Sequence, residues 1–211
     1  TQDAARELME DGIDGLVHIF GDEPVTDEVI QLALDGNVFI IPTLSVIASV
    51  DGRKDAAKLA SQESVASLLS PMQSQTINMS FPGGVPGFHY DIASQNVRRF
   101  HAAGIRILAG SDAPNPGTAH GVSLHQELQY LVDSGLSPQE ALAVATTLTA
   151  SVFSMTDRGE IKIGAKGDIL LVRGNPLQDV GATLAIETVF KNGHPVNRSA
   201  AQAKSGDALG S

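Results

Sequence analysis

Apolar residues recur along this chain with two alternating periods. Over residues 26–35, Val29, Ile30, Ala33 and Leu34 fall at helical spacing and Gly36 supplies a stop. Residues 38–41 then form a short unbroken apolar run closed by Pro42, the pattern of a buried strand. The alternation extends on both sides. Residues 1–10 set Ala4, Ala5, Leu8 and Met9 on one side of a helix that stops at Gly12, and residues 15–20 read as a strand. A helix over 92–103 leads through Gly104 into an apolar strand starting at Ile105. Helix and strand in alternation predict βαβ units on a parallel sheet, an α/β fold. The longest apolar stretch, 37–50, is interrupted by Pro42, Thr43 and Ser45, so it reads as a buried strand and its exit loop. It falls short of the roughly 18 residues a membrane span needs.

Residues 51–90 break this rhythm. Positions 54–69 can form a helix, whereas Phe81-Pro-Gly-Gly-Val-Pro-Gly87 cannot. Such an insertion is either a substrate lid or a passive surface excursion, and both readings stand. Past the Pro/Gly-rich residues 113–117, helices are expected over 123–134 and 138–155. The second has Ser137 as N-cap, Pro138 in the first turn and Glu140 to complement the dipole. From Gly159 the texture turns to short strands, at 160–163, 168–172 and 188–191. The expected organisation is a partial β/α layer over 1–155 with its insertion at about 51–90, strands of a second unit over 156–196, and a flexible tail over 197–211.

Composition narrows the function classes. At 211 residues and 42% hydrophobic, the chain can bury a sizeable core. A net charge of −10 argues against a nucleic-acid partner, whose phosphates need a basic face. No membrane partner is expected either. With no cysteine, disulfides, thiolate metal sites and cysteine nucleophiles are all excluded. The chain opens at Thr1 without initiator methionine or targeting segment, and so reads as a processed or truncated product.

The chemistry concentrates at two strand ends. Ile105-Arg-Ile-Leu-Ala-Gly-Ser-Asp112 is an apolar strand ending on a lone carboxylate, and Ile13-Asp-Gly-Leu-Val-His18 carries an imidazole near its own C-terminal end. That end of a buried parallel strand is where α/β enzymes place reacting groups. Imidazole and carboxylate together point to a metal–water site. Each has a plainer reading: His18 as a half-buried histidine with a satisfied hydrogen bond, Asp112 as a turn residue before Pro114. His120, after the Gly/Pro-rich loop, is either a substrate contact or a surface histidine. His125 reads as packing or surface, His89 and His194 as loop or turn residues, and His101 as complementing the end of its helix. Ser111 lacks the flanking glycines of a nucleophile elbow.

Five stretches, in this order, resemble the metal-dependent amidohydrolase superfamily, in its imidazolonepropionase-like and prolidase-like branch. They are Gly12-Ile-Asp-Gly-Leu-Val-His18, Ile40-Ile-Pro-Thr-Leu44, Ala109-Gly-Ser-Asp112-Ala, His120-Gly-Val-Ser-Leu-His125-Gln-Glu-Leu, and Gly159-Glu-Ile-Lys-Ile-Gly-Ala-Lys-Gly-Asp168 with the strands that follow. The resemblance implies strands six to eight of a (β/α)8 barrel, followed by part of a small β-sandwich. It implies His18 and Asp112 as ligands of a divalent metal, zinc being the expected kind with one or two ions in the intact family, and Asp112 as catalytic base; His120 stands beside them as the candidate substrate contact. The implied activity is hydrolysis of a C–N bond in a cyclic amide or dipeptide-like small molecule. The family's first-strand His-x-His pair, bridging carboxylated lysine or glutamate, and fifth-strand histidine have no counterpart here. The chain therefore resembles a C-terminal segment, inactive alone, whose partner is the missing N-terminal half or a second subunit. A rival reading is a non-catalytic domain that packs on a partner chain through an open sheet.

Overall fold

The computed structural model describes residues 1–81 and 83–197. Helix α1 (Gln2–Glu10) is capped by the Thr1 hydroxyl and leads to strand β1 (Gly15–Val17). Helix α2 (Asp27–Asp35), capped by Thr26, returns the chain to β2 (Phe39–Ile41). The strands pair in parallel, with Leu16 opposite Ile40, as a helical crossover requires. A third segment lies along the far side of β2. Ile107 bridges Ile40 in parallel, flanked by bonds from Ile40 N–H to Arg106 O at 2.9 Å and from Leu108 N–H to Ile40 O at 2.8 Å. The layer order is β1, β2, then residues 105–108, and among the described residues it stays open at both edges.

Two glycines let this layer pack closely. A Cβ at Gly15 would fall 2.3 Å from the Phe39 ring, and one at Gly110 would fall 2.5 Å from a methyl of Ile41. Below the sheet, Val29, Ala33, Ile40, Val97, Phe100 and Ile107 are almost completely buried and share one core. Val97 and Phe100 come from the helix Tyr90–Ala102. Its Asn96 is also fully buried: Oδ1 accepts from Val25 N–H at 2.7 Å, and Nδ2 donates to the carbonyls of Phe20 and Glu23. That side chain ties down the loop leaving β1.

The exit of β2 departs from expectation. Residues read as a loop form helix α3 (Leu44–Val50), with every residue from Leu44 to Ser49 buried. A helix buried all round has no polar face and hence no 3.6-residue signal. The single helix expected over 54–69 is instead α4 (Asp55–Ala60) and α5 (Glu63–Ala66), divided at Gln62, whose backbone is extended. They are followed by α6 (Pro71–Asn78), started by a Ser70–Gln73 capping box. Helix α7 (Tyr90–Ala102) then leads into the third sheet segment.

Helix α8 (Val122–Asp133) precedes α9 (Pro138–Ala145), which has the expected Ser137 cap and a capping box with Glu140. The long helix expected over 138–155 breaks at Thr146 into α9 and α10 (Thr147–Val152). The Val144 carbonyl accepts Ala109 N–H from the sheet segment and the Thr149 hydroxyl, so it is lost to the helical ladder. Strands β3 (Ile169–Val172), β4 (Ile186–Lys191) and β5 (His194–Pro195) form an antiparallel sheet. The strand expected at 160–163 is absent. Ile161 and Ile163 alternate correctly but are exposed and find no ladder among the described residues. The expected tail lies outside the described residues from 198 onward.

Candidate functional site

Three residues lie just past the C-terminal ends of the three parallel segments, and all three have left-handed backbones: His18 (φ 71°), Thr43 (φ 54°) and Asp112 (φ 52°). Such a conformation costs a non-glycine residue on the order of 1–3 kcal/mol, and more readily persists where the surroundings over-determine it. For a β-branched threonine it is a marked outlier. His18 lies close to both of the others, which places His18, Thr43 and Asp112 on one rim of the layer.

The ring of His18 is fixed from behind. Nδ1 lies 2.7 Å from the Thr43 hydroxyl oxygen, and that hydroxyl donates its one proton to Pro42 O at 2.7 Å. Thr43 therefore accepts from His18, so the imidazole proton sits on Nδ1 and Nε2 keeps its lone pair. Nε2 lies 4.0 Å from Asp112 Oδ2, with both side chains part-exposed. The Asp112 carboxylate is held in turn by Asn115, whose Nδ2 donates to Oδ2 and to the Asp112 carbonyl, each at 2.8 Å. Oδ1 has no hydrogen bond among the described residues. The rim thus presents one imidazole lone pair and one carboxylate whose orientations are set by neighbours.

Imidazole and carboxylate are donors that suit zinc and other divalent cations, and 4.0 Å is short enough for one ion to reach both. An open zinc site takes three protein ligands. Among the described residues no group of three or more His, Cys, Asp or Glu side chains comes together. The pair fits as part of a metal site and falls short of a whole one.

His120 lines a groove whose lining does not include His18 or Asp112. Its carbonyl accepts from Gln73 Nε2 at 3.1 Å, and the groove is apolar, about 410 Å³, and shared with Leu68, Leu69, His125 and Leu170. Among the described residues no hydrogen bond or ion pair links its ring to His18 or Asp112. His125 packs, with Nδ1 on the Thr183 hydroxyl at 2.8 Å and burial favouring its neutral form. His101 lies 3.4 Å from Glu140 in the last turn of α7.

Thr43, Asn115 and Glu127 were not singled out by sequence reading. Glu127 is completely buried, and its carboxylate lies over the first turn of α3. Oε1 accepts from Leu44 N–H at 2.9 Å, and Oε2 accepts from Ser45 N–H at 2.7 Å and the Ser45 hydroxyl at 2.8 Å. Burial without a cationic partner raises its pKa to about 7, although the bonds from Ser45 and Leu44 pull the other way. One signal was available: Ser123, Glu127 and Leu131 follow at intervals of four on the buried stripe of α8.

Residues 6–196 match the sequence model of the amidohydrolase family. An imidazolonepropionase of Deinococcus deserti is 29% identical over 139 residues, which is 65% of this chain and 31% of that protein. Among solved structures, a Xaa-Pro dipeptidase with bound methionine in its active site superposes with a TM-score of 0.69 at 24% identity, over 93% of this chain and 43% of the dipeptidase. A putative prolidase from Bifidobacterium longum gives 0.64 at 26% identity, over 98% of this chain and 48% of its own. The chain thus spans less than half the length of each of these relatives.

Proposed function

The chain belongs to the amidohydrolase family, and from that premise we propose that it carries one side of a metal-dependent hydrolytic site acting on C–N bonds of small molecules. The observation that carries this reading is the His18–Asp112 pair, on one rim, both with left-handed backbones and 4.0 Å apart. In this reading β1, β2 and residues 105–108 are strands six to eight of a (β/α)8 barrel. Residues 1–155 form that partial barrel with its insertion at about 51–90, and 156–196 contribute strands to a β-sandwich.

The open edges support this placement. Ile107 is buried, yet its outward N–H and C=O make no hydrogen bond among the described residues and face a groove of about 550 Å³ beside Ile105, Val144 and Leu148. Buried backbone groups are nearly always paired, so a strand from outside these residues belongs there. The same polypeptide or a partner chain that supplies this strand would also supply the remaining ligands.

A divalent cation, of which zinc fits the donor types, would contribute Lewis acidity toward water and the scissile carbonyl. The chain's own residues do the rest. His18 holds its Nε2 lone pair toward the rim with its proton parked on Nδ1. Asp112 takes a proton from the attacking water and delivers it to the leaving nitrogen. Asn115 keeps one carboxylate oxygen oriented while the other stays open. The relatives' names, imidazolonepropionase and Xaa-Pro dipeptidase, direct the substrate search to cyclic amides and dipeptides.

The test is expression of the full natural polypeptide, with metal content and turnover of both substrate classes measured. Stoichiometric metal and C–N cleavage are expected; a pure, folded protein with neither would overturn the proposal. The rival reading, a non-catalytic domain docking through its open sheet, draws on the incomplete donor set. It predicts partner binding with no metal at His18.

A further inference from the structure

We infer that Glu127 is a positioning residue for His18, acting through the first turn of α3 and the Thr43 hydroxyl. The argument starts from what an N-cap threonine ordinarily does. Its backbone is extended and its hydroxyl accepts from the second or third N–H of the helix. Thr43 stands at the N-cap of α3 with φ 54° and ψ 45°, and its side chain makes no cap bond. The hydroxyl instead faces backward, donating to Pro42 O and accepting from His18.

That arrangement orphans the first N–H groups of a buried helix. Leu44 and Ser45 are both buried, so water cannot serve their N–H groups. Glu127 does so from a position more than eighty residues away in sequence, one oxygen on Leu44 N–H and the other on Ser45 N–H and the Ser45 hydroxyl. The carboxylate thus occupies the role that the Thr43 hydroxyl leaves empty. Without it, two buried donors would be unpaired, at a cost larger than an ordinary hydrogen bond is worth. The nearest relief is a return of Thr43 to the extended region, which relaxes its left-handed strain and turns its hydroxyl onto α3. His18 would then lose its acceptor at Nδ1 and the bond that sets its tautomer.

This rests on reading His18 as a ligand, since a ligand needs its lone pair on a defined nitrogen. The test, however, requires neither metal nor substrate. Long-range ¹H–¹⁵N spectra of the metal-free chain report which ring nitrogen of each histidine carries the proton. For the unaltered chain above the titration range of its imidazoles, His18 is expected in the Nδ1–H form. Glu127→Asp, too short to span both N–H groups, and Glu127→Gln, which turns an amide NH2 toward donors, should shift the His18 tautomer ratio toward Nε2–H by about tenfold, the effect of one lost hydrogen bond. Thr43→Val should do the same and Thr43→Ser should restore the original form.

His125 is the internal control. It lies on α8 two residues from Glu127, and its Nδ1 is held by Thr183. General loosening of α8 would move both histidines, whereas positioning moves His18 alone. The inference is overturned if His18 in the unaltered chain is the Nε2–H form, a result that needs no variant to fold. It is also overturned if folded Glu127 variants leave His18 unchanged, or move His18 and His125 together. Absence of metal uptake by the full natural polypeptide would overturn the proposed function and leave this result standing.

Discussion

His18 and Asp112 share a rim but divide their work differently, which makes their substitutions distinguishable. Asp112→Asn keeps the shape, an oxygen donor and the left-handed backbone, to which asparagine is well suited, but an amide accepts no proton at neutral pH. In the catalytically complete protein, turnover should fall by a factor on the order of 10² to 10⁴ with most metal retained. His18→Ala should lower metal content first, and excess zinc should restore part of the activity. Turnover and metal content, measured on both variants, check the pair. Near-normal turnover in Asp112→Asn would leave Asp112 a turn residue. The carboxylate type and position were legible in sequence because an apolar strand ended there. The Asn115 contact was also local, three residues along, yet nothing in the pattern of polar positions marks that amide as the carboxylate's partner.

Two helix starts allow predictions at the next scale. The Ser137–Glu140 capping box on α9 is exposed and local, so Ser137→Ala should destabilise the chain by about 1 kcal/mol, read as a shift of the denaturation midpoint. At α3 the cap is the buried Glu127. Its folded-state pKa is raised from 4.5 to about 7, so between those values the folded chain holds a proton that the unfolded chain has released. Stability from this group is therefore greatest below about pH 4.5, falls as pH rises toward 7, and levels off above it. The full span is on the order of 3 kcal/mol. Denaturant midpoints across that range should show this downward slope, and Glu127→Gln should flatten it while lowering stability overall. α9 announced itself because Ser, Pro and Glu fall within four residues. α3 did not, since its cap comes from α8.

At the scale of the whole fold, the decisive feature is a parallel layer whose two edges are free among the described residues. Val17 on β1 is half-exposed at one edge and Ile107 faces the groove at the other. Unpaired edges with apolar neighbours recruit other strands. The isolated chain should self-associate in a concentration-dependent way, and Val17→Lys should reduce this by placing charge on the β1 edge. Sedimentation or light scattering of the two proteins decides it; a strictly monomeric unaltered chain at high concentration would remove the case for an edge awaiting a strand.

The alternation of helical and strand periods was sufficient to determine the α/β class, the order of most elements, and the strands preceding His18 and Asp112. These depend on which face of each segment is apolar, and burial writes that face into the local pattern. Tertiary structure alone decided the rest. α3 is buried on all sides and so carries no period, and the break at Thr146 follows from a carbonyl captured by Ala109. Residues 160–163 alternate like a strand but lack a ladder partner among the described residues. The tautomer of His18 is set by Thr43, and the first turn of α3 by Glu127, through bonds joining residues 25 and more than 80 positions apart. A hydrogen bond across that separation depends on where the folded backbone puts two groups, and no local pattern of apolar and polar residues encodes that distance.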